Sequence, residues 1–205
     1  MRAALPANEP ARLEALRQYQ ILDTHDETAF DDLTRIAAYI CQTPIAIISL
    51  IDEDRQWFKA RLGVGPKETS RDVAFCAHTI LQDAPTVVPD ALTDERFADN
   101  PLVTAEPYIR LYAGAPLITP EGFRLGSLCV VDRVPRNLSM EQIAVLRMLS
   151  NQVMTQLDLR RDIVALTRAL NEQSSRLREL GETRMSKTGK DAELCSLSPE
   201  RKARS

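Results

Sequence analysis

A thiol, an imidazole, a carboxylate and a guanidinium stand within otherwise apolar segments in the middle of this 205-residue chain. Cys76 and His78 belong to a short stretch with helical character, Asp90 ends a short strand, and Arg110 lies in a strand further along. Such groups offer nucleophilic, acid–base or anion-binding chemistry. Strands that bring polar side chains to a concave surface are typical of small-molecule sites, so the pattern predicts a ligand pocket.

The spacing of Cys76 and His78 argues against a shared metal ion. Two positions along a helix separate the side chains by about 200°, so both cannot face one ligand. We therefore expect no metal site. We expect one of the two side chains to line the pocket while the other packs beneath it, and Phe75, directly before them, to line the pocket as well.

Arg110 and Tyr112 alternate with two apolar residues along one predicted strand. Because successive side chains of a strand point to opposite faces, we expect Arg110 and Tyr112 to face the ligand. The Arg110 guanidinium suits a carboxylate or phosphate on the ligand. The alternative is a salt bridge to Asp90 or to a carboxylate of residues 94–99. The predicted ligand-binding residues are thus Phe75, Cys76, His78, Asp90, Arg110 and Tyr112.

The cysteines favour a reduced, non-catalytic protein. They stand at positions 41, 76, 129 and 195 without a Cys-x-x-Cys motif, which excludes the usual zinc and thioredoxin patterns. Cytoplasmic thiols are normally reduced, so we expect no structural disulfide. Cys41 and Cys129 are predicted to be small buried hydrophobic residues. The sequence contains no recognisable set of nucleophile, base and orienting group, so we expect no catalytic activity.

Apolar periodicity predicts the elements that position these residues. Helices are predicted over residues 9–20, from residue 26 or 28 to about 43, and over 72–81, followed by a long helix that Ser139 caps. Strands are predicted over residues 45–51, 56–61, 85–88, 108–117 and 125–131. Residues 91–107 contain two prolines and several turn formers, and they are expected to form a long ordered loop over the pocket.

Several segments together carry a family resemblance. In order and spacing, these segments resemble a GAF domain; they are residues 9–16, 21–24, 52–60, 74–81, 88–91, 97–101, 112–117 and 126–132. They are similar in particular to the sensory GAF modules of bacterial diguanylate cyclases and histidine kinases. The resemblance implies an α+β fold with a central antiparallel sheet of about five to six strands. Helices are expected on one face, and the short helix and long loop over the pocket on the other.

The resemblance also implies a function in bacterial signal transduction, as a sensory module that binds a small-molecule effector. Family ligands include cyclic nucleotides, tetrapyrroles, haem and amino acids. The Asn-Lys-x-Asp-Glu type signature of cyclic-nucleotide binding is missing, which disfavours that ligand, and the cofactor stays unknown. One alternative is a free methionine sulfoxide reductase that uses Cys76 or Cys129. Another is a ligand-free structural dimerisation module.

A heptad pattern follows the predicted GAF domain. We expect three regions: the GAF domain over residues 1–158, a coiled-coil helix over 159–181 and a disordered tail over 182–205. The coiled coil predicts a homodimer. Its seam consists of Leu159, Ile163, Leu166, Leu170, Gln173, Leu177 and Leu180.

Charge and hydropathy exclude several partners. The net charge is −3 and the pI is about 5.5, so nothing indicates nucleic-acid binding. The longest apolar run, residues 44–51, is too short to span a bilayer, and the N-terminus lacks a signal peptide. We therefore predict a cytoplasmic protein without membrane contact. No Gly-Gly-Asp-Glu-Phe output signature follows, so we expect either a signalling output protein in trans or the loss of the output function.

Overall fold

A computed structural model describes residues 2–196, with side chains through residue 176 and at residue 178. The chain divides into two compact units, Met1–Arg161 and Asp162–Ser205. Among the residues that the structure describes, the first unit contains every strand and the candidate site. In the described residues, no helix is long and apolar enough to cross a membrane.

The first unit is built on a six-stranded antiparallel sheet, which confirms the predicted α+β class. The spatial order is β3-β2-β1-β6-β5-β4. The strands are β1 Ile45–Ile51, β2 Arg55–Leu62, β3 Glu68–Ser70, β4 Thr86–Val88, β5 Leu111–Ile118 and β6 Arg124–Asp132. The predicted strand over 108–117 begins only at Leu111, because Tyr108 has a positive φ of 61° in a turn that closes on Ala105.

The central strand β1 is buried along its whole length, as its continuous apolar run predicts. Ala46, Ile48 and Leu50 face one core, and Ile45 and Ile47 face another. The sheet therefore has two covered faces that differ in what covers them.

Three helices cover the first face. They are α1 Glu9–Gln18, α2 Thr28–Cys41 and the beginning of α5 Met140–Ser196. Leu16, Phe30 and Val153 carry their apolar sides into the core. At the start of α5, Ser139 Oγ accepts from the Gln142 N–H at 3.3 Å and Gln142 Oε1 accepts from the Ser139 N–H at 2.9 Å. This capping box fixes where the helix begins.

The second face lies under short elements. They are a 3₁₀ turn, Arg71–Val73, then α3 Phe75–Thr79 and α4 Pro101–Thr104 within the long loop. Asn100 caps α4 with its side-chain oxygen on the Leu102 N–H at 2.9 Å, and its amide donates to the Val73 carbonyl at 3.1 Å. The loop is therefore tied to the 3₁₀ turn, and it is ordered as predicted.

The second unit begins at Asp162 and, over its described residues, consists of the rest of α5. Ile163, Leu166 and Leu170 expose more than 60% of their surface. The side chains of Leu177 and Leu180, two predicted seam positions, lie outside the described residues. The backbone is helical through Ser196, within the region for which the sequence predicts disorder, and residues 197–205 lie outside the described range.

Candidate functional site

A cavity of about 330 Å³ lies between the second face of the sheet and its covering segments. Ile47, Phe58 and Val131 supply an apolar wall from three strands. Residues 63–66 and 102–109 lie around the rest of the cavity. The volume is at the lower end of the range for small-molecule sites.

Three of the six predicted ligand-binding residues line this cavity: Phe75, Cys76 and Tyr112. The Phe75 ring stacks on the Phe97 ring with centroids 4.0 Å apart, which fixes α3 against the loop. Tyr112 lies on β5 and faces the cavity, while Ala113 faces the helices, in agreement with strand alternation.

His78 does not line the cavity, although it lies on the same short helix as Cys76. Its ring packs edge-on against Phe97 at a centroid distance of 4.7 Å. The two-residue spacing turns the imidazole away from the thiol, as helix geometry requires. The described residues contain no group of three or more His, Cys, Asp or Glu side chains suited to a metal ion.

Arg110 and Asp90 also lie outside the cavity lining. Arg110 Nη1 donates to the carbonyls of Val103 at 3.0 Å and of Ile109 at 2.9 Å. These two hydrogen bonds link the loop to the residue just before β5. Neither Asp90 nor a carboxylate of residues 94–99 accepts them. Asp90 Oδ1 accepts from the Leu92 N–H at 3.1 Å and closes a turn. Both side chains hold the backbone that surrounds the site.

Two polar groups of the cavity were missed by the sequence analysis. Gln56 on β2 and Thr69 on β3 are cross-strand partners, and both line the cavity. Gln56 Oε1 and Thr69 Oγ1 are buried, and neither has a hydrogen-bond partner among the described residues. Strand alternation with Phe58 was the one available signal for Gln56. The sequence contains no such signal for Thr69, because β3 is only three residues long.

A cluster of two thiols and two hydroxyls forms another part of the site. The sulfur atoms of Cys76 and Cys129 lie 3.7 Å apart, and both residues line the cavity. The Tyr112 hydroxyl donates to Cys76 Sγ at 3.4 Å. Thr79 Oγ1 lies 2.7 Å from the Tyr112 oxygen. Because the Tyr112 proton points to sulfur, Thr79 donates to Tyr112.

Glycine at position 114 makes room for this cluster. A Cβ atom there would collide with the Tyr112 hydroxyl and crowd Thr79 Oγ1. Gly114 is also the cross-strand partner of Cys129. The absence of a side chain on β5 therefore lets the tyrosine ring lie across the strand and reach Cys76.

The environment shifts the proton affinities of the two thiols in opposite directions. Burial raises the pKa of the Cys76 thiol, but nearby hydrogen bonds, above all the one with Cys129, outweigh it and lower this pKa to about 6. The pKa of the Cys129 thiol is raised by its hydrogen bond with Cys76 and by burial. Burial likewise raises the pKa of Tyr112. As the pH rises, the Cys76 thiol is therefore deprotonated first, while the Cys129 thiol keeps its proton.

An ion pair stands at the exposed side of the cavity. Arg133 Nη2 lies 3.3 Å from Glu106 Oε1, and both residues contribute to the lining. Their side chains are largely exposed to solvent. The pair links the loop to the residue after β6 at the solvent-exposed side of the cavity.

The six-stranded antiparallel sheet, with helices on one face and a cavity under a short helix and an ordered loop on the other, defines a GAF-like α+β domain. Residues 26–157 match the family model of the GAF domain. The chain therefore belongs to the GAF domain family, as its sequence motifs predict.

Similar proteins agree with this assignment. The chain is 43% identical over 153 residues to the cyclic di-GMP phosphodiesterase PA2567 of Pseudomonas aeruginosa. The match covers 74% of this chain and 26% of that protein, so the chain spans about a quarter of the length of this relative.

Two solved structures show the same fold at low identity. The GAF domain of an Acinetobacter phosphoenolpyruvate-protein phosphotransferase matches with a TM-score of 0.55 and 18% identity, over 75% of this chain and 95% of that one. The type II free methionine-R-sulfoxide reductase of Thermoplasma acidophilum matches with a TM-score of 0.51 and 12% identity, over 63% and 92%. These likenesses show the fold alone.

Proposed function

We propose that this chain is a sensory module of bacterial signal transduction that binds a small-molecule effector in the cavity described above. One observation carries the proposal: a mostly apolar cavity holds two buried polar atoms, Gln56 Oε1 and Thr69 Oγ1, that no described residue satisfies. A buried acceptor without a partner costs about 1–3 kcal/mol. A ligand that donates a hydrogen bond there recovers this cost.

The lining defines the chemistry of the ligand. Ile47, Phe58 and Val131 favour an apolar body, and the Gln56 amide oxygen requires an N–H or O–H group at one end. Arg133, the cation of the lining, is paired with Glu106. The effector is therefore proposed to be a neutral molecule with one hydrogen-bonding end, and Arg110 is not proposed to bind an anion.

Native mass spectrometry of the protein purified from its own host tests this proposal. The wild type is expected to retain a small-molecule mass. The variant Gln56→Met keeps the side-chain volume but removes the amide, and it is expected to lose most of that mass. Gln152→Met, at an exposed position of α5, is the matched control. The proposal is wrong if the wild type carries no adduct, or if both variants retain it equally.

We further propose that the chain is a homodimer in which the exposed stripe of α5 packs on a second copy. Ile163, Leu166 and Leu170 are aligned at heptad spacing and lie open to solvent, and burying such residues stabilises a coiled coil. A dimer brings two sensory modules onto one pair of helices, which suits a signalling output protein in trans as the recipient of the ligand signal.

We propose that the chain acts by binding, in a cytoplasmic setting, without membrane or nucleic-acid partners. The described cysteines are free, which suits a reducing compartment. The alternative of a methionine sulfoxide reductase is favoured by one observation, the two sulfurs that meet in the cavity. Thioredoxin-coupled consumption of NADPH with free methionine sulfoxide distinguishes the two. Turnover lost in Cys76→Ser would contradict the binding proposal.

A further inference from the structure

We propose that Cys76 and Cys129 are a redox-sensitive pair that a hydroperoxide converts into a reversible disulfide within the cavity. This inference does not depend on the identity of the effector, because it rests on the positions of the two sulfurs, their access from the cavity and the hydrogen bond from Tyr112. It adds a chemical modification site to a module whose proposed role is binding.

The geometry suits the bond. The sulfurs are 3.7 Å apart, and a disulfide requires about 2.05 Å, so the side chains must bring them closer by about 1.7 Å. Cys76 lies on α3, a helix of five residues, and Cys129 lies in the middle of β6. A short helix at the end of a 3₁₀ turn adjusts more easily than a central strand, so α3 is expected to move.

The cavity gives a small oxidant access to both sulfurs. Cys76 and Cys129 expose no more than 2% of their surface to bulk solvent, yet both line the cavity. Cys41, by contrast, is buried in the core on the opposite face of the sheet. Burial raises the pKa of the Cys41 thiol to about 11. Cys41 is therefore expected to be oxidised more slowly and serves as an internal reference.

The reaction balances with a hydroperoxide as the two-electron oxidant. The Cys76 thiolate attacks the terminal peroxide oxygen, the O–O bond breaks, and the alkoxide or hydroxide leaves with the thiol proton as alcohol or water. This step gives a sulfenic acid on Cys76. The Cys129 sulfur then attacks the Cys76 sulfur, and hydroxide leaves with the Cys129 proton as water. A low-molecular-weight thiol reverses the reaction by exchange.

Tyr112 is a positioning residue for this chemistry. Its hydroxyl donates to Cys76 Sγ at 3.4 Å, and Thr79 holds the tyrosine oxygen from behind. A hydrogen bond to sulfur stabilises the thiolate, which is the nucleophile. The hydrogen bond also holds the Cys76 side chain at the cavity surface, facing Cys129.

Peptide mapping of the full chain tests the proposal, because trypsin places the four cysteines on four different peptides. The reduced protein is treated with hydrogen peroxide or tert-butyl hydroperoxide, quenched with N-ethylmaleimide and digested. We expect a cross-link between the peptides over residues 72–96 and 125–133. We expect it to form about tenfold faster than any oxidation of Cys41. Glutathione is expected to reverse it.

Single variants separate the two steps. In Cys129→Ser, Cys76 is expected to stop at the sulfenic acid, which dimedone traps. Cys76→Ser is expected to leave Cys129 reduced. Alanine replacements repeat both tests where serine perturbs folding, and circular dichroism confirms the fold of each variant.

Three results of the peroxide treatment would overturn the inference. They are a folded wild type whose two thiols stay alkylatable after peroxide, cross-links shared equally with Cys41, and a cross-link that appears only after unfolding. None of these results bears on effector binding, which the retained mass in native spectra reports separately. A cross-link formed by methionine sulfoxide but not by peroxide would also contradict the proposal.

Discussion

Tyr112 shows how one side chain sets the reactivity of another. The tyrosine ring crosses Gly114, its hydroxyl reaches Cys76, and Thr79 completes the hydrogen-bond chain. Without the hydroxyl, the Cys76 thiolate would lose one of the donors that lower its pKa to about 6. Because the Tyr112 contribution to this pKa comes from one oxygen atom, a substitution that removes only that atom tests it.

Tyr112→Phe is expected to shift the pH profile of Cys76 alkylation to higher pH, because the thiolate loses a stabilising hydrogen bond. The measurement follows iodoacetamide labelling of the peptide over residues 72–96 from pH 5 to 9, with the Cys41 peptide as internal reference. Thr104→Val, at an exposed position of α4, is the control. An unchanged profile in a folded Tyr112→Phe protein would show that the hydroxyl has no influence on the sulfur.

Sequence patterns identified some site residues and missed others for physical reasons. Strand alternation predicted that Tyr112 lines the cavity, whereas helix geometry predicted only that one of Cys76 and His78 does. Arg110 was predicted to face the ligand because the predicted strand began at residue 108. The strand begins only at Leu111, after the turn at Tyr108. Thr69 could not be found, because β3 exists only through its pairing with β2. Local periodicity carries no information about such tertiary pairing.

At the scale of elements, a β-bulge in β2 places Lys59 where its side chain helps to connect the sheet to two helices. The register of β1 and β2 shifts so that Lys59 has no partner on β1. Its ammonium is buried and donates to Glu27 Oε1 at 2.6 Å, at the start of α2. Arg160 Nε of α5 donates to the same oxygen at 2.9 Å. Glu27 thus connects the strand that bears Phe58 of the cavity wall with α5.

Glu27→Gln is expected to lower the free energy of unfolding by about 2 kcal/mol at pH 7. This value lies between those of exposed and buried ion pairs, because Glu27 is partly exposed while Lys59 is buried. Urea unfolding measures it. Glu14→Gln, at an exposed position of α1, is the matched control and is expected to change little.

The contacts of Glu27 with Lys59 and Arg160 also predict that the stability of the protein depends on pH. Burial raises the pKa of Glu27, but the hydrogen bonds from Lys59 and Arg160 outweigh it and hold the pKa below the ordinary 4.5. A carboxylate with a lowered pKa stabilises the fold above its unfolded pKa and loses this contribution as the pH falls. The difference in the free energy of unfolding between wild type and Glu27→Gln should therefore have its full value above pH 4.5 and shrink below this pH. A difference that is constant from pH 3 to 7 would contradict this assignment.

Arg110→Ala is expected to destabilise the protein by about 2 kcal/mol, because two main-chain carbonyls lose a charged donor. Thermal unfolding measures the loss. The adduct retained in native mass spectra is expected to persist, since the guanidinium does not line the cavity. Loss of the adduct at unchanged stability would instead restore Arg110 as a ligand-binding residue.

At the scale of the whole molecule, the long helix is proposed to set the oligomeric state. The double variant Ile163→Glu, Leu170→Glu places charges on the exposed stripe and is expected to give a monomer by light scattering. Ala165→Glu, at an exposed position off the stripe, is expected to remain dimeric. If the double variant is as dimeric as the wild type, the stripe is not the interface.

The cavity of the GAF domain is proposed to bind a small molecule. Hydrogen–deuterium exchange, read by mass spectrometry on the host-purified protein before and after its small-molecule fraction is stripped, tests it most directly. Stripping is expected to speed exchange in residues 63–66, in α3 and over 102–109, and to leave α2 unchanged. Identical exchange in both samples, or changes confined to α1 and α2, would contradict the claim.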